Sequence, residues 1–272
     1  MNATAAEWAV SATWGAAGWN AAGWGAAGLV AGSFAAMAAH RLPARLGLVD
    51  RPVPEGGRFT GRSRCPACDR ALGPAELIPI VSFLVSQGRC RGCAAPIPMR
   101  YPVIEALGAA AGALAALRFG GGLDTAAAAA FAWTLVLLAA IDARDGYLPD
   151  ALTIPLLWAG LLVNVADRFA PLSSAVIGAA GGYLALRAVE TAHRALRGRD
   201  GLGRGDAALF AAVGAWLGWE RAPAVLLAAA LGALAFVAAR ALVRREPIDG
   251  ARAIAFGPAL AAAAVATLFA AG

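Results

Sequence analysis

Apolar runs of about 16–22 residues, separated by short polar stretches, set the plan of this chain, and each run approaches the length a helix needs to cross a bilayer. They cover about 18–39, 102–118, 125–142, 151–166, 172–190, 205–219, 222–241 and 252–271. Glycine and proline mark breaks between them, as at Gly120-Gly121-Gly122 and Pro149. The segment 42–101 breaks the pattern, with many prolines and all four cysteines. The pattern predicts an all-α polytopic membrane protein of about eight transmembrane helices, with a small cytoplasmic domain inserted between helices 1 and 2. The expected division is 1–41 (N-terminal region and first transmembrane helix), 42–101 (cysteine domain) and 102–272 (seven-helix domain).

Composition supports a membrane protein: 272 residues are 60% hydrophobic and 15% charged, and mean hydropathy is +0.65. The pI of 9.9 would suggest nucleic acid as partner in a soluble protein. Here the arginines, which are all 23 of the basic residues, explain it by position. Twenty fall in 40–101, 143–150, 187–204 and 240–252, on one side of the predicted topology. Only Arg118, Arg168 and Arg221 fall on the other. Positive charge marks the cytoplasmic side, so both chain ends are expected outside and no nucleic acid is implied. The Trp-rich start (Trp14, Trp19, Trp24) reads as low complexity, and no basic segment of the kind that opens a signal peptide precedes it.

Cys65-Pro66-Ala67-Cys68 and Cys90-Arg91-Gly92-Cys93 form two C-x-x-C pairs with 21 residues between them. Two thiolates from each pair complete a tetrahedron around zinc, whereas disulfides do not suit a reducing cytoplasm. The site is structural, since about 60 residues scarcely fold without such a staple and no ligand position stays open.

Two carboxylates stand at the margins of spans: Asp142 ends the run Trp133 to Ile141, and Asp206 follows Gly203-Arg204-Gly205. Ionisable groups at membrane margins are functional candidates. Both fall on the arginine-rich side, and because arginine alone defines that side, the agreement is an independent check. A carboxylate pair suits a membrane aspartic protease, one taking a proton from water and the other polarising the carbonyl. Asp142 lies at the negative end of its helix and Asp206 at the positive end of its own, so Asp206 is the expected base and Asp142 the acid. Other acids have plainer readings. Glu105 complements a helix dipole, Asp124-Thr125 and Asp150 (with Thr153) cap helices, and Asn164 with Asp167 forms a solvated helix end. His40 reads as a helix-end cation and His193 as part of a solvated basic loop. No His-Glu-x-x-His motif is present, and neither His lies in a later span to serve Ser33 as base.

From about Gly32 onward, several fragments in order resemble the type IV prepilin peptidases, also called type IV leader peptidases. They are Gly32-Ser33-Phe34 with His40-Arg41-Leu42-Pro43, both C-x-x-C pairs, and Gly88-Arg89-Cys90-Arg91. Next come Arg100-Tyr101-Pro102 with Glu105, Ile141-Asp142, Leu148-Pro149-Asp150 with Thr153, and Gly203-x-Gly205-Asp206. Gly214-Ala215-Trp216 and Phe256-Gly257-Pro258 close the series. The resemblance implies a G-x-G-D aspartic peptidase with Asp142 and Asp206 catalytic. Its substrates would be type IV prepilins or type II secretion pseudopilins, cut after Gly at the cytoplasmic face of a bacterial inner membrane. It also implies N-methylation of the new terminus with S-adenosylmethionine, tied to the tetracysteine zinc loop of Cys65, Cys68, Cys90 and Cys93. No dinucleotide-type glycine motif marks a pocket for that donor. The sequence departs from the family in having Ala35-Ala36-Met37 after Phe34, and Ala208 where Lys is usual. A membrane-anchored zinc-ribbon binding module would leave both aspartates unexplained. A proton-coupled transporter would place them near the bilayer midplane.

Overall fold

A computed structural model of the chain describes residues 5–50, 63–198, 203–245 and 255–270. Among the described residues the structure is helical, without strands and with two isolated antiparallel bridges. The helices are α1 (Ala5–Arg45), α2 (Val81–Val85), α3 (Arg100–Phe119), α4 (Gly122–Asp145), α5 (Asp150–Val163), α6 (Leu172–Arg197), α7 (Arg204–Leu217), α8 (Ala222–Arg244) and α9 (Gly257–Ala270). Each predicted run coincides with one helix, and α2 is an addition inside the cysteine segment. Among the described residues five helices are long and apolar enough to cross a membrane: α1 from Ala17, α3, α4, α6 and α8. The other three, α5, α7 and α9, have 14 residues each. Fourteen residues rise only about 21 Å at ~1.5 Å per residue, short of a hydrocarbon core of about 30 Å. The chain divides into two compact units, residues 1–137 and 138–272, with the division inside α4.

In the first unit α1 and α3 pack antiparallel along facing glycines. A Cβ on Gly28 would stand 2.1 Å from the Gly108 carbonyl oxygen, and one on Gly112 would stand 2.2 Å from that of Trp24. Spacings of four, Gly28 to Gly32 and Gly108 to Gly112, put these contacts on one stripe of each helix. Trp133 of α4 donates its indole N–H to the Gly108 carbonyl at 2.9 Å. Gly28→Leu is expected to lower stability by about 3 kcal/mol or more, since backbone rather than a flexible side chain meets the new group. Unfolding titrations in mixed detergent measure this; a loss below half that value would mean the helices separate easily.

In the second unit α7 is the central helix, in contact with α5, α6, α8 and α9. Its side chains from Leu209 to Leu217 are all buried, so it is apolar all round. Gly178 of α6 and Gly214 of α7 bring those backbones together, and Gly160 of α5 receives the Trp216 ring. Outer apolar side chains such as Leu231, Leu234 and Phe236 on α8 stay exposed on the protein itself, as a bilayer-facing surface requires.

Three local expectations need correction. The basic stretch after residue 187 is not a loop, because α6 continues to Arg197. Glu190 is buried there and paired with Arg187 and, at 3.1 Å, with Arg194, so spacings of three and four turn charged residues into helix support. His193 therefore lies on a helix. Asp150 does not cap α5: Pro149 holds the cap position and Asp150 is the first helical residue. Asn164 is not solvated. It is fully buried, donates to the Ala215 and Trp216 carbonyls at 2.9 and 3.1 Å, and accepts from the Phe169 and Ala170 amides at 3.0 and 3.2 Å.

Candidate active site and metal centre

Asp142 lies in the last turn of α4, and Asp206 is the third residue of α7. Both are buried, at 5% and 8% exposure, and both belong to the second unit. Each carboxylate accepts one glycine amide: Asp206 from Gly203 at 3.0 Å and Asp142 from Gly257 at 2.9 Å.

The glycines around the pair have separate reasons. Gly203 precedes α7 and closes its first turn onto Asp206. A Cβ on Gly205 would stand 2.7 Å from the Leu148 Cβ, so this glycine lets the start of α7 approach the segment before α5. A Cβ on Gly257 would stand 2.7 Å from an Asp142 carboxylate oxygen. Gly257 opens α9, so its amide brings the positive end of that helix to Asp142. The dipole asymmetry read from the sequence is thereby reduced, because Asp142 faces a helix start as well as ending its own helix. Gly201 and Leu202 lie outside the described residues. Asp145 is the last residue of α4, with Arg144 Nε 3.8 Å from its carboxylate.

The four cysteines converge in the first unit, with all four Sγ atoms within 4.8 Å of one another and none in a disulfide. The two knuckles are built alike. Cys65 and Cys90 donate backbone N–H to Arg70 and Ala95, five residues on. Asp69 and Ala94, each following the second cysteine of its pair, adopt φ of 55° and 56°. A tetrahedron with Zn–S near 2.3 Å separates sulfurs by about 3.8 Å; the Cys65 to Cys93 separation is 3.9 Å. The donor set therefore fits one zinc ion. The Cys93 and Gly92 backbone amides draw the Cys90 thiol down to about 6, while the Cys68 side chain and burial push Cys93 up to about 11, so the thiols titrate as a group. Arg70 and Glu76 brace the loop at 2.6 Å, and that guanidinium with the Gly73 amide holds the Glu76 carboxyl below its ordinary range.

Glu105 is not a first-turn dipole partner. It is the sixth residue of α3, buried, and accepts the Ile80 amide at 2.7 Å. Ile80 has φ 59° and ψ −49°, and Val81 N–H bonds back to the Pro79 carbonyl. A β-branched residue held in this turn costs about 1–3 kcal/mol, and such strain gathers at functional places. The sequence offered only the acid near a helix start; its partner lies 25 residues away.

Comparisons with known proteins agree across the chain. The Bacterial Peptidase A24 N-terminal domain matches residues 26–119, and the Type IV leader peptidase family matches residues 129–238. A "Prepilin leader peptidase/N-methyltransferase" of Burkholderia pseudomallei (strain K96243) is 47% identical over 264 residues, covering 89% of this chain and 82% of the relative. Proteins of the same name from Aeromonas salmonicida (strain A449) and Dickeya chrysanthemi are 41% and 40% identical. The first covers 86% of this chain and 85% of its own, and the second 86% of each. No solved structure matches.

Proposed function

This chain belongs to the type IV leader peptidase family, and from that premise we propose that it is a membrane aspartic endopeptidase with Asp142 and Asp206 as its dyad. Its substrates are the leaders of type IV prepilins or type II secretion pseudopilins, cut after Gly at the cytoplasmic face. The observation that supports this most is the pair itself: two buried carboxylates in one compact unit, each held by a glycine amide. Asp206 takes a proton from water as its oxygen attacks the scissile carbonyl, while protonated Asp142 donates to the carbonyl oxygen. The tetrahedral intermediate then breaks its C–N bond, and a proton returns to the departing amine. The Gly203 and Gly257 amides fix one oxygen of each carboxylate, leaving the other for this exchange. The helices embed the protein in a bacterial inner membrane, which five of them are long enough to cross, with the dyad toward the cytoplasm.

We extend the reading to N-methylation of the new terminus, since the relatives carry that activity in their name. S-adenosylmethionine supplies the methyl group when bound. Cys65, Cys68, Cys90 and Cys93 hold a structural zinc that fixes the loop from Arg64 to Pro96. Purified protein is expected to contain one zinc per chain, and Cys90→Ser to lose most of it, as read by elemental mass spectrometry. Zinc retained in that variant would place the metal elsewhere.

The test of function is cleavage of a prepilin in liposomes, with mass spectrometry of the mature N-terminus. Cleavage after Gly with a methyl added when S-adenosylmethionine is present supports both activities. Cleavage without the methyl removes the second, and an intact substrate removes the first. In the same assay Gly257→Ala is expected to lower cleavage about 100-fold, because displacing a catalytic group by even ~1 Å has that effect. Wild-type activity would mean that the Gly257 contact does not hold Asp142 in place.

A further inference from the structure

We propose that the S-adenosylmethionine site is the cavity of the first unit, with Glu105 as its carboxylate anchor. This deepens the methylation reading and rests on it. The cavity measures about 560 Å³ and lies between the cysteine loop and the ends of α1 and α3. Small-molecule and cofactor pockets span about 300–1,000 Å³. Its lining brings together both charge signs and aromatic rings: Glu105 and Glu76, Arg41 and Arg89, Tyr101 and Phe83.

That set matches the chemistry of the donor. Its sulfonium and ammonium seek carboxylates and ring faces, its carboxylate seeks arginine, and its adenine seeks an aromatic plane. A phosphate or anionic headgroup would accept the arginines but be repelled by the buried Glu105 carboxylate. Glu105 has a fixed direction, because the Ile80 amide occupies one of its oxygens at 2.7 Å. The strained turn at Ile80 is thereby explained: it aims an amide at a carboxylate on the cavity wall. The tetracysteine cluster sits in the same wall through Cys65 and Cys90, so zinc fixes the pocket without touching the reaction.

The test is equilibrium binding of labelled S-adenosylmethionine to the full chain in detergent, without peptide substrate. Wild type is compared with Glu105→Gln, which keeps shape and removes charge, and with Met37→Trp, which fills the cavity from α1. Melting curves check that each variant is folded. Glu105→Gln is expected to weaken binding about 10- to 100-fold, the range for losing a charged hydrogen bond. Met37→Trp is expected to weaken it at least as much. If the wild type binds and both folded variants bind equally well, the cavity assignment is overturned while methylation stands. If the wild type neither binds nor methylates, both fall, and cleavage is judged separately.

Discussion

Asp142→Asn and Asp206→Asn each lower prepilin cleavage by about 1,000-fold or more, since loss of general acid–base catalysis alone accounts for about 100- to 10,000-fold. Asparagine keeps the size of the side chain and still accepts the glycine amide at 3.0 or 2.9 Å. It can neither take a proton from water nor deliver one to a carbonyl. The substitution also takes an ionisable carboxyl out of a buried site, so folding stability is expected to hold or rise. Single-turnover cleavage in liposomes, read beside a melting curve, separates the two effects. A folded variant that keeps a tenth of the wild-type rate would sink the dyad. The double variant should be scarcely worse than either single one, because the two groups act as a unit.

Asn164→Ala is expected to destabilise the second unit by about 3–5 kcal/mol, the scale set by stranding several buried polar groups at ~1–3 kcal/mol each. The side chain meets four backbone groups, two carbonyls at the end of α7 and two amides before α6. Its removal takes one shared partner from four backbone groups at once, around a side chain that is 0% exposed. Asn164→Asp tests the directionality: a carboxylate accepts the two amides but cannot donate to the carbonyls. It should therefore destabilise as well, and the loss should shrink at low pH, where the protonated acid regains one donor. Denaturant midpoints in detergent report both. A change under 1 kcal/mol in Asn164→Ala would mean that the end of α7 relaxes to satisfy itself.

The helices were legible because apolar runs of membrane length need no tertiary context to be recognised. Where charge interrupted the run the reading stopped too soon: α6 goes on through Glu190 because Arg187 and Arg194 sit one turn to either side. Cys65, Cys68, Cys90 and Cys93 were legible from spacing, since a C-x-x-C pair is a local geometry that any turn of that length reproduces. Asp142 and Asp206 stood out for the opposite reason, as acids at the ends of apolar runs where acids are costly.

What the sequence determined alone is therefore local: which stretches are helical, which thiols pair, and which carboxylates are out of place. What only the tertiary structure decided is who meets whom across the chain. The Gly257 amide reaches Asp142 over 115 residues, and Asn164 reaches Ala215 over 51. The Ile80 amide meets Glu105 only because the cysteine loop folds back on α3. Such partners are chosen by packing, where a buried polar group must find whichever backbone group the fold brings near it. No spacing rule records that choice, so the two aspartates stood out as candidates in the sequence while the glycine amide that meets one of them did not.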